Sequence, residues 1–363
     1  MRDLSCVLLV LLLGWAHSLS ADVLYSVTDL GTLGGCCSSG NGINDVGQVT
    51  GDSFTAAKAD HAFVYSNGHI IDLGTLGGIA STGHGINDVG QVTGSSATAG
   101  GLSGGHAFLY SNGHMIDLGT LGGVDSTGNG INNAGQVTGD SLTASDADHA
   151  FLYSNRHMID LGTLGGIDSV GNAINNAGEV TGYSGTGNRS VEHAFLYRNG
   201  HMIDLGTLGG SGSTGHAIND VGQVTGGSDL TASGDFHAFI YTNGHMIDLG
   251  TLAGFSDSVG SGINDAGEVI GLYFNPSAAI HPFLFSNGHM MDLNDLINPA
   301  LGIALLAPQG INDKGQIVAD GFLEDGTPRA FLLTPVPEPR TYLLLGLPLL
   351  TLLLSSRRKS KHN

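Results

Sequence analysis

Two short stretches decide the fold: His106-Ala107-Phe108-Leu109-Tyr110-Ser111-Asn112-Gly113-His114-Met115-Ile116-Asp117-Leu118, and, further on, Gly130-Ile131-Asn132-Asn133-Ala134-Gly135-Gln136-Val137-Thr138-Gly139. In the first, aromatics two apart with aliphatics between them make both faces apolar, as in a strand buried on both sides. Asn112-Gly113 between two apolar runs predicts a tight hairpin, because both residues tolerate positive φ. In the second, Asn132-Asn133-Ala134-Gly135 reads as a type I turn with glycine in the left-handed position, so it is a second hairpin. Between them, the connector Gly119–Gly123 opens a strand of small residues. In chain order the four strands are C (His-Ala-Phe), D (Met-Ile-Asp-Leu), A (small residues ending in Gly-Ile-Asn) and B (Gln-Val-Thr-Gly).

The same unit returns seven times. His-Ala-Phe starts at His61, His106, His149, His193 and His237, with weaker copies at His281 and Arg329. Asp-Leu-Gly-Thr-Leu starts at Asp29, Asp72, Asp117, Asp160, Asp204 and Asp248, with a degenerate copy at Asp292. Ile-Asn-(Asp/Asn) starts at Ile43, Ile86, Ile131, Ile174, Ile218, Ile263 and Ile311. A period of about 44 residues signals a propeller or solenoid. Four short antiparallel strands per period predict an all-β, seven-bladed propeller. A parallel β-helix, the rival, has no use for tight Asn-Gly hairpins. The chain opens with a D-type strand, Leu24–Leu30, and ends with a C-type strand, Arg329–Leu333. One blade is therefore expected from both ends, closing the ring and removing free edges. Strand A, rich in Gly and Ser, is expected innermost. B–C and D–A connections should share one face and the tight hairpins the other. Arg156 replaces the turn glycine once, so that hairpin should be strained.

Composition narrows the function. Glycine makes up 60 of 363 residues, without the three-residue period of collagen. The formal charge is −20, and between Ala21 and Val336 thirty acids face six bases. Such a surface repels phosphate backbones and excludes nucleic acid as a partner. A hydrophobic content of 41% argues against disorder.

The ends read as addresses. Residues 1–21 place Arg2 before an apolar run, Leu4–Ala16, and then small residues, the order of a secretory signal peptide. Residues 22–335 are the propeller. Residues 336–363 place Val336-Pro337-Glu338-Pro339 before an apolar stretch, Tyr342–Leu354, expected as a hydrophobic helix, and Arg357-Arg358-Lys359 as a basic stop. This tail resembles the PEP-CTERM sorting signal of exopolysaccharide-producing Gram-negative bacteria. The resemblance implies processing near Pro337–Pro339 by an exosortase-type membrane protease, transient or permanent inner-membrane association through residues 342–356, and a secreted or cell-surface location. The repeats resemble the HAF-repeat family of extracellular proteins over residues 24–333, a family with no defined activity to carry over.

Little in the middle points to chemistry. The repeated His and Asp are read as fold residues, His pairing with a carbonyl or an Asp of its own blade. The Asn-Asp turns are too short for a calcium loop, and no nucleophile elbow or P-loop occurs. No catalytic residue, metal site or cofactor is assigned. Cys36 and Cys37 are adjacent, so an ordinary disulfide between them would be strained; they are free or pair with another chain. Candidate binding residues are the acids of the variable B–C loops, Asp60, Asp146, Asp148, Glu192 and Asp235, which suit cations or a basic partner, together with His84 and His216, which fall outside the three repeated motifs. The expected function is a non-enzymatic surface or matrix scaffold that contacts extracellular polysaccharide or matrix proteins. Alternatives are a propeller enzyme or lectin on such polysaccharide and, more remotely, ice binding.

Overall fold

The computed structural model describes residues 24–336 apart from 101–104, 188–190, 232–233 and 276–279. The sorting-signal residues Pro337, Glu338, Pro339, Arg357, Arg358 and Lys359 and the expected signal peptide lie outside the described residues. Among the described residues, no helix is long and apolar enough to cross a membrane.

Seven four-stranded antiparallel sheets form a seven-bladed β-propeller. Blade 3 shows the plan: strand A is Gly122–Ile131, B Val137–Thr143, C Asp148–Ser154 and D His157–Asp160. The A strands line the axis, because polar side chains on them bond the A strand of the next blade. Asn129 Nδ2 donates to the Gly171 carbonyl at 3.0 Å, and Asn172 Nδ2 to that of Gly215 at 2.7 Å.

The repeated residues are explained by what lies between blades. The core is a series of layers, each made by two neighbouring blades: Ala107 and Leu118 of blade 2 pack on Val137 and Phe151 of blade 3. The C-strand phenylalanine is fully buried in all seven blades, each worth roughly 1.5–3 kcal/mol of transfer free energy. Small polar residues staple the layers. Ser126 Oγ accepts the Ala107 N–H of the preceding blade at 2.9 Å and donates to the Gly119 carbonyl at 2.6 Å. Gly139 follows from close strand approach, since a Cβ there would collide with the Thr127 carbonyl oxygen.

Blade 7 closes the ring. Its A, B and C strands are Ala304–Ile311, Ile317–Phe322 and Pro328–Pro335, and its D strand is Tyr25–Asp29 from the other end of the chain. Val27 faces Leu333 in register. Pro335 and Tyr25 stand where the other blades make the turn from C to D, and the Val336 N–H donates to the Leu24 carbonyl at 2.8 Å. The degenerate D–A connection buttresses this seam: Asn294 exchanges two hydrogen bonds with the Leu305 backbone, and the Leu296 carbonyl accepts the Leu24 N–H.

The B–C connections are tighter than the sequence suggests. Ladder pairs Phe54↔Asp60, Leu142↔Asp148 and Gly185↔Glu192 extend the sheets. Asp60, Asp148 and Glu192 are thus the first residues of C strands rather than loop residues, and Asp235 directly precedes one. Only Asp146 lies within its turn, at φ 60°. Backbone pairing at the strand ends outweighs the polar composition that reads as loop.

Two substitutions test these contacts. Arg156 sits at φ 66° where Gly68 and Gly113 sit at 80° and 81°. Arg156→Gly should relieve left-handed strain and stabilise by about 0.5–1 kcal/mol in thermal or urea unfolding. Asn132 is buried, and its side chain alone makes four hydrogen bonds, to Gln136 Oε1 and the Asn175 carbonyl and from the Ala134 and Gln136 N–H groups. Asn132→Ala should cost about 2–4 kcal/mol by the same measurement, because buried partners are left unpaired.

Candidate functional site

The molecule offers two faces. The hairpin face carries the A–B and C–D turns, and the loop face carries the B–C and D–A connections. At the centre of the hairpin face the seven A–B turns ring a cavity of about 160 Å³ lined by each Ile-Asn-(Asp/Asn) step. Two circles of hydrogen bonds run round it. In the inner circle each asparagine Nδ2 donates to the carbonyl of its counterpart one blade on, from Asn44 to Asn87 through to Asn312 and back to Asn44 at 2.8 Å. In the outer circle each following residue donates its N–H to the next blade's side-chain oxygen, from Asp45 to Asp88 and finally from Asp313 to Asp45. Five members are carboxylates and two are amides. Asn133 and Asn176 donate their amide hydrogens to Asp88 and Asp220, so Asp265, Asp313 and Asp45 form an arc without amide partners. Asp45 and Asp313 are held above the ordinary carboxylate range, first by burial and then by neighbouring carboxylates. This ring is what the repeated Asn-Asp turns build, and the sequence reading did not assign it.

On the loop face, each His-Ala-Phe histidine of blades 1 to 6 bonds an aspartate of its own blade. His61 Nδ1 lies 2.9 Å from Asp72, whose Oδ1 also accepts the Gly74 N–H at 2.7 Å. Five further pairs repeat this at 2.8–3.1 Å. The expected fold role of these residues is what the geometry shows: the pair ties the outer strand D to C and fixes the D–A turn. In blade 7, Arg329 takes the histidine's place, with its Nε 3.8 Å from Asp29.

The candidate acids fall into two crevices. In one, Asp60 has a buried Oδ1 without a hydrogen-bond partner, and Asp52 feels the charges of both Asp60 and Asp320. Burial, then the Asp60 charge, pushes Asp52 up to about 6. In the other, burial and the charges of Asp140 and Asp168 push Asp148 up to about 6, while its N–H donates to Asp168. Asp146 and Glu192 are exposed nearby, and Asp235 is partly buried beside its own turn. Cys36 is exposed and Cys37 half-buried, both as free thiols, and the Cys37 thiol is raised chiefly by a hydrogen bond with Cys36.

His84 and His216 are corrected. They are neither loop residues nor breaks in the pattern. They occupy the A-strand position held by Asn41, Asn129 and Asn172, and their Nδ1 atoms bond the Gly128 and Gly260 carbonyls of the next blade at 3.1 and 2.9 Å. Burial lowers both pKa values below the usual 6.5. The cluster that does break the pattern is in blade 6. Tyr273 replaces the usual serine and donates to Asp292 Oδ2 at 2.6 Å. His281 bonds the same oxygen at 3.1 Å and stacks on Tyr273 at 5.1 Å between centroids, with Phe255 against both rings. The available signal was the substitution of Tyr273 and Phe255 into positions otherwise held by small residues. Among the described residues, no group of three or more His, Cys, Asp or Glu is placed to hold a metal ion.

No family model and no curated protein matches the chain. Solved structures resemble it at low identity. TolB from Acinetobacter baumannii is 11% identical with TM-score 0.43, over 79% of this chain and 63% of that one, so the chain spans less than two thirds of that TolB. The β-propeller domain of the Trilobed protease from Pyrococcus furiosus is 8% identical with TM-score 0.49, over 84% and 98%. Trypanosoma rangeli sialidase is 10% identical with TM-score 0.40, over 85% and 59%. Likeness at this level says nothing about activity.

The buried acids and the buried histidines pull stability in opposite directions with pH. Asp52 and Asp148 titrate higher folded than unfolded, so their ionisation destabilises the fold and that penalty fades as pH falls from about 7 toward 4. His84 and His216 titrate lower folded than unfolded, so stability is lost as pH falls below about 6.5. Asp52→Asn should therefore raise the melting temperature at about pH 8, by a stability on the order of 1–2 kcal/mol after screening, and make little difference near pH 4. His84→Asn, which installs the residue of the neighbouring blades, should be neutral at about pH 8 and stabilising near pH 5.

Proposed function

We propose that the protein is an exported, non-enzymatic scaffold of the cell surface or matrix, presenting its loop face to a cationic or polysaccharide partner. The observation that supports this best is the division of labour among its residues. The repeated His, Asp, Asn and Ser side chains are consumed in identical contacts within and between blades. The residues that vary, Asp60, Asp146, Asp148, Glu192 and Asp235, gather toward one face. Variable positions on a rigid frame are where recognition is normally built. The two end segments, read as a signal peptide and a PEP-CTERM sorting signal, support export, exosortase handling and surface delivery in a Gram-negative bacterium.

A second reading, an enzyme or lectin acting on extracellular glycans, is favoured by one feature, the Tyr273–Asp292–His281 cluster with Phe255, the asymmetric polar site beside an aromatic platform.

Glycan arrays and panels of polysaccharide, peptide and ester substrates separate these readings. The scaffold should bind without turnover, and Asp146→Asn with Glu192→Gln should weaken binding several-fold at low salt and less at high salt. Robust hydrolysis abolished by His281→Ala would establish the second reading instead.

A further inference from the structure

The exit points of the chain fix which face is presented. We propose that the hairpin face is apposed to a phospholipid bilayer and the loop face is turned away from it. This rests on the reading of Tyr342–Leu354 as a membrane-directed segment, and adds an orientation that the reading lacks.

Strand C of blade 7 ends at Pro335 on the hairpin face, and Leu24 leaves beside Val336, tied by the hydrogen bond between them. Both ends therefore depart where five of the other blades place an Asn-Gly turn and blade 3 places Asn155-Arg156. From Val336 to Tyr342 is six residue steps, which reach at most about 20 Å fully extended. The seven- to ten-residue strands of a blade rise roughly 23–33 Å. A tether that short cannot round the rim and bring the loop face down to a bilayer holding Tyr342.

The surface chemistry agrees with the geometry. Exposed aliphatic side chains occur on both faces, Val46, Val89 and Val221 on the A–B turns and Ile79, Val124 and Ile167 at the loop-face ends of A strands, so it is charge that separates the faces. Three of the five bases among the described residues, Lys314, Arg156 and Arg198, lie at this face, where they suit lipid phosphates. The carboxylates of the channel ring share the face, each accepting a backbone N–H of the preceding blade. The loop face holds the His–Asp pairs and the two acidic crevices, relieved among the described residues only by Lys58 and Arg329, and a negative bilayer surface repels it.

The described residues contain two lysines, one on each face and both exposed: Lys314 in an A–B turn and Lys58 in a B–C turn. The unaltered full chain is floated with vesicles of phosphatidylethanolamine and phosphatidylglycerol, then acylated with a membrane-impermeant amine reagent. Modification at each lysine is read by peptide mass spectrometry, with and without vesicles. Vesicles should lower acylation of Lys314 several-fold and leave Lys58 unchanged. Equal protection of the two, or protection of Lys58 alone, overturns the orientation while leaving the anchor intact. A chain that fails to float with the vesicles sinks the anchoring reading itself, and the orientation with it.

Discussion

Seven asparagine amides hand a hydrogen bond from blade to blade around the axis, and the last returns to the first. Because the circle of Asn44 through Asn312 has no free end, the blade number, the tilt of each A–B turn and the closeness of neighbouring A strands are all set together. A missing blade would leave a buried amide and a buried carbonyl unpaired, which costs about 1–3 kcal/mol each. The seam at blade 7 obeys the same demand on the outside, where Tyr25–Asp29 supplies the D strand that Pro328–Pro335 lacks. Inner circle and outer seam are complementary: one fixes the diameter, and the other prevents the sheet edge from opening.

Closure has an electrostatic consequence. A ring built from Asn-Asp turns places a second side chain next to each amide, and five of those seven are carboxylates. Where Asn133 and Asn176 stand instead, their amides relieve a neighbour; where they do not, Asp313 and Asp45 carry raised pKa values. The same tension appears in the crevices that hold Asp52 and Asp148. An acidic, tightly packed propeller therefore stores its charge in places where burial opposes ionisation, and the buried neutral histidines at His84 and His216 oppose it from the other side of neutrality.

The asymmetry needed for recognition enters at few points. The histidine–aspartate pairs are six copies of one contact, and their regularity marks them as structure. Blade 6 departs from the pattern through Tyr273 and Phe255, blade 7 through Arg329 and Asn294, and blades 1, 3, 4 and 5 through the acids at and beside the start of their C strands. In blade 7 the departures serve closure, because Arg329 meets Asp29 and Asn294 holds Leu305. In blade 6 they create a cluster with no counterpart elsewhere in the described residues.

The sequence alone determined the repeat, the four strands of each unit, the Asn-Gly and Asn-Asp turns, the pairing of the first strand with the last and the in-blade role of the histidines. Each of these is encoded by local alternation and turn chemistry, which act over a few residues and repeat seven times. Tertiary structure decided which residues about 44 positions apart touch. His84 has no motif to mark it, yet the register of its strand puts it where Asn129 stands and aims it at the Gly128 carbonyl. The polar run around Asp60 reads as a loop, yet the ladder claims it and buries one of its oxygens. The carboxylate ring and the exit of both chain ends on one face exist only once the blades are wrapped into a circle, because twist and packing between sheets set distances that no spacing along the chain contains.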